Sequence, residues 1–435
     1  MFPHTAVVTT TRPTTSAAQE TAQVQRRVVW TLVGSQILGG VGVSSGAAVG
    51  ALLAEQVSGS TQYAGLGGTA QVLGSALIAI PMVRLMAARG RRPGLVLGYL
   101  LSAVGAMGLI AAGALVSFPL LLVSSFLFGG AIASNSQTRY AAADLALPAR
   151  RGRDISIVVW ATTIGSVLGP NLVGPGEPVA RALGVPTLTG PFIFSLVGSL
   201  LAVVMLLVRL RPDPLLEARR RAVDERDEPG EPTHGSVVRG LRQSFSRPVA
   251  RLGIVTLALG HGVMVGLMVM TPVHMRDGNA GLTVIGFVIS VHVLGMFAFS
   301  PLTGMAVDRF GGRAVALAGS GILSVAAVLA SVSPMGQSTV LVAALFLLGL
   351  GWSCTLVSGS TLLTGALPAA ERPGAQGASD VLMGLAAGGG GAVAGVVLDR
   401  FSYHVLADIG LGFALVIGVL ALMTRSAGQP ASTSG

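Results

Sequence analysis

Long apolar runs separated by short polar stretches dominate the chain. A membrane-crossing helix needs about 20 mostly apolar residues. Twelve such runs can be marked: residues 28–54, 64–87, 94–115, 119–142, 155–172 and 191–210, then 252–273, 282–307, 314–332, 340–363, 379–398 and 403–423. The expected fold class is therefore an all-α membrane protein with twelve transmembrane helices. The pattern divides the chain into an N-terminus, 1–27, expected to be disordered and cytoplasmic; a six-helix half, 28–210; a cytoplasmic linker, 211–251; a second six-helix half, 252–423; and a cytoplasmic tail, 424–435.

The halves resemble each other at one spacing. Ala146-Leu147-Pro148-Ala149 returns as Ala366-Leu367-Pro368-Ala369, 220 positions later, and Pro81 is matched by Pro301 at the same offset. Two separated anchors sharing one offset point to duplication, hence to two pseudo-symmetric halves with a substrate site between them near the midplane.

Composition agrees. Apolar residues make up 51% and charged residues only 11%, against roughly a quarter charged in soluble domains. All 28 basic residues are Arg, and the net charge is +10. Such charge can signal nucleic-acid binding, but these Arg residues cluster between apolar runs, as on a cytoplasmic membrane face. Arg89, Arg91 and Arg92, then Arg150, Arg151 and Arg153, then Arg309 and Arg313 share one side with the linker; the opposite loops hold only Arg181, Arg276 and Arg400. Both termini are expected in the cytoplasm of a bacterium, with the chain in its plasma membrane, monomeric and without a nucleic-acid partner. Cys354 stands alone, which excludes an intramolecular disulfide. Arg26-Arg27 precede an apolar run too long for a signal peptide. The linker, which mixes Arg219-Arg220-Arg221 with Asp224, Glu225, Asp227 and Glu228, reads as solvated with an amphipathic stretch.

Gly304-Met305-Ala306-Val307-Asp308-Arg309-Phe310-Gly311-Gly312-Arg313 resembles the loop signature of the major facilitator superfamily, Gly-x3-Asp-Arg-x-Gly-x-Arg. The resemblance implies the major facilitator fold and a secondary transporter that moves a small solute by alternating access, not an enzyme, and with no cofactor. It also implies a conformational latch. Asp308 can accept from a helix N-terminus or an Arg of the other half, Gly304 permits close helix approach, Gly311 suits a tight turn, and Arg309 and Arg313 complete the signature. The first-half counterpart is degraded, with Arg84 at the Gly position and Ala88 at the Asp position.

In the fifth run, Gly165-x3-Gly169-Pro170 followed by Gly174 partly resembles a signature of drug/proton antiporters in the same superfamily, although Val173 replaces its first paired Gly. Small residues four apart let backbones touch, and Pro170 kinks the helix; helix packing without any antiport meaning is an equal reading. A second antiporter signature places an Arg in the outer half of the fourth run, where this chain has Ser125 ahead of Gly129. Arg139, near the cytoplasmic end, reads as snorkelling. No Asp or Glu falls at the middle of a run, so proton coupling would need His261, His292, Asp144 or Asp380.

The resemblance implies that the first, fourth, seventh and tenth helices line the cavity. On the seventh, His261, Met264 and Met268 share one face; on the eighth, His292 and Met296 do. The tenth contributes Trp352 and Cys354. Thioether, thiol and imidazole are the soft donors that Cu(I) prefers. The stripe of Met264, Met268, His292 and Met296 is similar to a superfamily branch of bacterial copper importers that supply cytochrome oxidase assembly. The same neighbourhood includes riboflavin transporters, so three readings stand: a metal path, contacts to an organic substrate, or methionine packing. Gln36 and Asn135, on cavity helices, are further candidates for substrate contact, with interhelical hydrogen bonding as the alternative. No intramembrane catalytic set and no nucleotide-binding motif is present. The expected function is thus solute transport, either copper import or proton-coupled efflux of drugs or other small organic compounds.

Overall fold

The computed structural model describes residues 15–60, 63, 65–224, 236–336 and 339–424. Residues 1–14 of the expected N-terminal tail, 225–235 of the linker and 425–435 of the C-terminal tail lie outside the described residues. The first half comprises α1 (Thr15–Ser58), α2 (Leu66–Arg89), α3 (Arg91–Leu115), α4 (Phe118–Ala143), α5 (Arg151–Asn171), α6 (Val173–Ala182) and α7 (Gly190–Arg209). Two short helices, α8 (Pro214–Asp224) and α9 (Val237–Ser246), belong to the linker. The second half comprises α10 (Pro248–Asp277), α11 (Leu282–Phe297), α12 (Ser300–Phe310), α13 (Gly312–Ser331), α14 (Thr339–Gly365), α15 (Arg372–Arg400) and α16 (Tyr403–Met423). Among the described residues eleven helices are long and apolar enough to cross a membrane, or twelve when the bent α5–α6 pair counts as one.

Packing repeats between the halves. α1 packs on α5 and α7, α2 on α4, and α3 on α4 and α7; in the second half α10 packs on α15 and α16, α11 on α14, and α13 on α14 and α16. The repeat seen in the sequence is therefore a repeat of helix contacts. Across the seam, α5 meets α12 and α15 meets α2, again an equivalent pair.

Local chemistry explains where helices stop. Gly90 (φ +91°) separates α2 from α3, and Gly311 (φ +85°) separates α12 from α13; a side chain is disfavoured in both backbones. The apolar run 282–307 is broken between α11 and α12, where Pro301 sits in the first turn of the new helix, because proline has no N–H to continue the preceding helix and its ring clashes with the carbonyl four residues back. The helical pair α5–α6 bends by 61° in the break between Gly169 and Val173. A Cβ on Gly165 would lie 2.7 Å from the carbonyl carbon of Gly40, and one on Gly169 2.4 Å from the Cβ of Ser44. The α5 backbone thus rests directly on α1. Gly174 has nothing within 4 Å of that position, so this contact ends short of it.

The N-terminal boundary differs from the expectation. Residues 15–27 are helical, and Gln25 is buried, donating to Ala142 O at 2.7 Å and Asp154 Oδ2 at 2.5 Å. Polar residues read as tail because their partners on α4 and α5 are distant in the chain.

Candidate functional site

The hydrogen bonds that join the halves sit at the Arg-rich end of the bundle. Arg139 on α4 and Asp380 on α15 form an ion pair of 2.7 Å, each side chain 8% exposed. The other oxygen of Asp380 accepts from Gln137 Nε2 at 2.6 Å. Gln137 Oε1 in turn accepts from Arg91 at 3.1 Å. Arg91 holds Asp144 through two bonds, of 2.7 and 3.2 Å, and donates a third time across the seam to Gln376 at 2.5 Å. Tyr140 and Ser379 share a hydroxyl bond of 2.6 Å beside the ion pair. Asp144, Arg91, Gln137, Asp380 and Arg139 form one continuous buried network. Charges out of water persist only when paired and hydrogen-bonded in this way. Arg139 does not snorkel toward solvent; the carboxylate of the other half holds it inside.

The second closure lies between α5 and α12. Asp308 accepts from the backbone N–H of Gly152 at 2.7 Å and of Arg153 at 2.9 Å, the first turn of α5. A carboxylate there meets the unsatisfied amides and the positive end of the helix dipole. A Cβ on Gly304 would stand 2.5 Å from Gly152 O, so the helices touch at this level. Arg309 stacks over Phe310, 5.4 Å from the ring centre, and Arg313 closes the end of α16 by donating to Ala421 O at 2.6 Å. In the linker, Asp213 caps the start of α3 within the first half, accepting from Arg91 N at 3.0 Å and Arg92 N at 2.8 Å.

Away from this end the halves part. A Cβ on Gly384 of α15 would still reach Ala76 of α2 at 3.3 Å, but at Gly388, Gly389 and Gly391 nothing lies within 4 Å. Those positions span somewhat less than half of the helix circumference. At Gly390 the neighbour is Gly262 O of α10, in the same half.

The sequence candidates fall into separate groups. Gln36 is buried, accepting from Thr138 at 2.6 Å and donating to Thr162 at 3.0 Å. Asn135 accepts from Tyr99 at 2.7 Å and is half-buried. His261 accepts from Trp352 Nε1 at 3.0 Å, and Phe297 packs edge-on to Trp352 at 5.5 Å, giving a shelf of rings from α10, α11 and α14. Cys354 is buried, 3.9 Å from Thr303 Oγ1 and against Gly319. The methionine–histidine stripe divides: Met264 belongs to the second-half core, which Met268 and Met296 flank half-buried, whereas His292 is fully buried with Nδ1 2.8 Å from Leu345 O. Among the described residues no group of three or more His, Cys, Asp or Glu is placed to hold a metal ion.

The family profile described as Major Facilitator Superfamily matches residues 31–280 and 275–435. The chain belongs to the major facilitator superfamily. It is 38% identical over 409 residues to the uncharacterized MFS-type transporter YdeG of Bacillus subtilis (strain 168), covering 94% of this chain and 92% of that one. It is 29% identical over 370 residues to the riboflavin transporter RfnT of Brucella anthropi, covering 83% and 86%. Its fold matches the crystal structure of the major facilitator transporter FucP in the outward conformation, with a TM-score of 0.72, 16% identity, and coverage of 91% and 98%. The protein is a multi-pass membrane protein of this superfamily, and its buried seam is where such a bundle holds its two halves together.

Proposed function

We infer that this protein is a secondary transporter of a small organic solute, working by alternating access in the bacterial plasma membrane. The Arg-rich end, with both termini, faces the cytoplasm. The observation that carries the reading is the one-sided closure: Arg139–Asp380 and Asp308–Gly152 join the halves at that end, while Gly388, Gly389, Gly390, Gly391 and Gly395 of α15 meet no atom of the first half. The described state is then outward-facing, with the cytoplasmic gate shut.

The substrate class is a planar, hydrogen-bonding aromatic such as a flavin. Trp352, His261 and Phe297 supply ring faces, and half-buried Asn135 a polar edge; stacking on such rings adds about 0.5–1.5 kcal/mol beyond burial. Similarity to a riboflavin transporter supports the same class. Copper import, the other solute suggested by the stripe, is the weaker reading: Met264 is packed in the second-half core, although the bond of His292 Nδ1 to a backbone carbonyl leaves its Nε2 free. Uptake of riboflavin by proteoliposomes containing the purified protein tests the reading: saturable uptake above empty vesicles is expected, and uptake equal to empty vesicles contradicts the flavin assignment.

A further inference from the structure

The two interfaces that close the Arg-rich end are equivalents in the internal repeat, yet they close by different means. Between α5 and α12, Asp308 binds backbone amides. Between α15 and α2, the repeat counterpart of Asp308 is Ala88, which has no acceptor, and the apolar contact of Val83 with Gly377 takes its place. The polar tie of α15 to the first half runs instead to α4, where Asp380 meets Arg139 and Gln137; the repeat counterpart of Asp380 is Trp160. A carboxylate held across the seam by side chains alone is thus peculiar to one side of the gate.

We propose that Asp380 is the proton-coupling residue of this transporter, and that its protonation from the central chamber releases Arg139 and opens the α15 side of the gate. The step is balanced simply. One proton from chamber water adds to the carboxylate oxygen; the Arg139–Asp380 ion pair is lost; Arg139 stays charged and keeps the Tyr140 hydroxyl, 3.1 Å away. Once the gate opens, the neutral carboxyl faces cytoplasmic water and returns the proton there. A charge–charge attraction in a water-poor seam is far stronger than at the surface, so removing one charge changes the balance between open and closed states.

The groups facing Asp380 are Arg139 and Tyr140 from α4, Arg91 from α3 through Gln137 and Gln376, and Ser379 on its own helix beside Tyr140. From α10, His261 lies toward Arg139. From α2, Val83 packs against Gly377 and Ala76 against Gly384. The inference rests on the transport reading, so its test uses no substrate.

Spin labels on Ala88→Cys and Val238→Cys, in a Cys354→Ala background, report the width of the gate; Ala88 and Val238 are both exposed. In nanodiscs the wild-type seam is expected to give the short distance at pH 8 and a growing long-distance population on acidification to pH 5. Asp380→Asn should give the long distance at both pH values, Asp380→Glu should restore the response, and His261→Gln should keep it. A wild-type distance that ignores pH, an Asp380→Asn protein that responds like wild type, or loss of the response in His261→Gln alone would overturn the proposal. Absence of riboflavin uptake alongside an intact gate response would count against the flavin assignment only.

Discussion

Arg139 and Asp380 lie 241 positions apart in the chain and 2.7 Å apart in the fold, joined across the seam between the two halves. Arg139 is only four residues from the end of α4, a depth of about 6 Å. It could reach solvent by extending along its own helix, and it turns inward instead. Breaking a buried pair by removing one partner costs about 3–5 kcal/mol. In a two-state transporter that cost falls on the closed-gate state alone, so the pair sets which state is populated.

The Asp308 contact should be weaker and graded. Asp308→Ala removes both acceptors from the first turn of α5, a loss of about 0.5–2 kcal/mol by analogy with helix caps, and Asp308→Asn should fall between. Limited proteolysis at the Arg-rich end should proceed faster in the order Ala, Asn, wild type. Equal rates would show that the contact does not hold the gate.

Gly165 and Gly174 give a paired test of helix packing. Gly165→Leu drives a side chain into the backbone of Gly40, and overpacking of this kind costs about 1–3 kcal/mol. Gly174→Ala meets open space and should leave thermal unfolding in detergent almost unchanged. Similar losses at both positions would contradict the α5–α1 contact described above.

The copper reading makes an opposite prediction from the packing one. Met264→Ala/His292→Ala should leave cell copper unchanged in an import-deficient bacterium, yet lower the unfolding temperature, because Met264 is a core residue and shortening a buried Met costs about 2–5 kcal/mol. Loss of copper accumulation at equal membrane abundance would restore the stripe as a metal path.

Binding of the flavin should depend on the ring shelf. Phe297→Ala removes the ring packed edge-on to Trp352 and should weaken riboflavin binding about tenfold, equivalent to about 1.4 kcal/mol. Intrinsic tryptophan quenching during titration measures it. Unchanged affinity would place the substrate elsewhere in the seam.

Much of the fold is legible from hydropathy, because a bilayer demands long apolar helices and the 220-residue offset exposes the duplication. The breaks are less legible. Ala298 and Phe299 are as apolar as their neighbours, and only Pro301 signals the end of α11. The start of α15 is hidden for the opposite reason: residues 372–378 are too polar to read as membrane helix, which left Asp380 at an apparent edge rather than inside a helix. The gate network was visible as separate residues. Arg139, Asp144 and Asp380 stand out as charges near apolar runs, but their pairing depends on which helices the fold brings together. The methionine stripe shows the converse, since residues sharing a helical face need not share a site.

One-sided access is the central claim, and a cysteine placed just beyond the ion pair tests it most directly. Ala387 lies seven residues after Asp380 on α15, on the same helical face and about 10 Å farther from the Arg-rich end. In a Cys354→Ala background, Ala387→Cys should react with a membrane-impermeant thiol reagent in right-side-out vesicles and resist it in inside-out vesicles, becoming reactive there when Arg139→Ala is added. Equal reaction in both vesicle orientations without that second substitution would contradict a gate closed by Arg139 and Asp380.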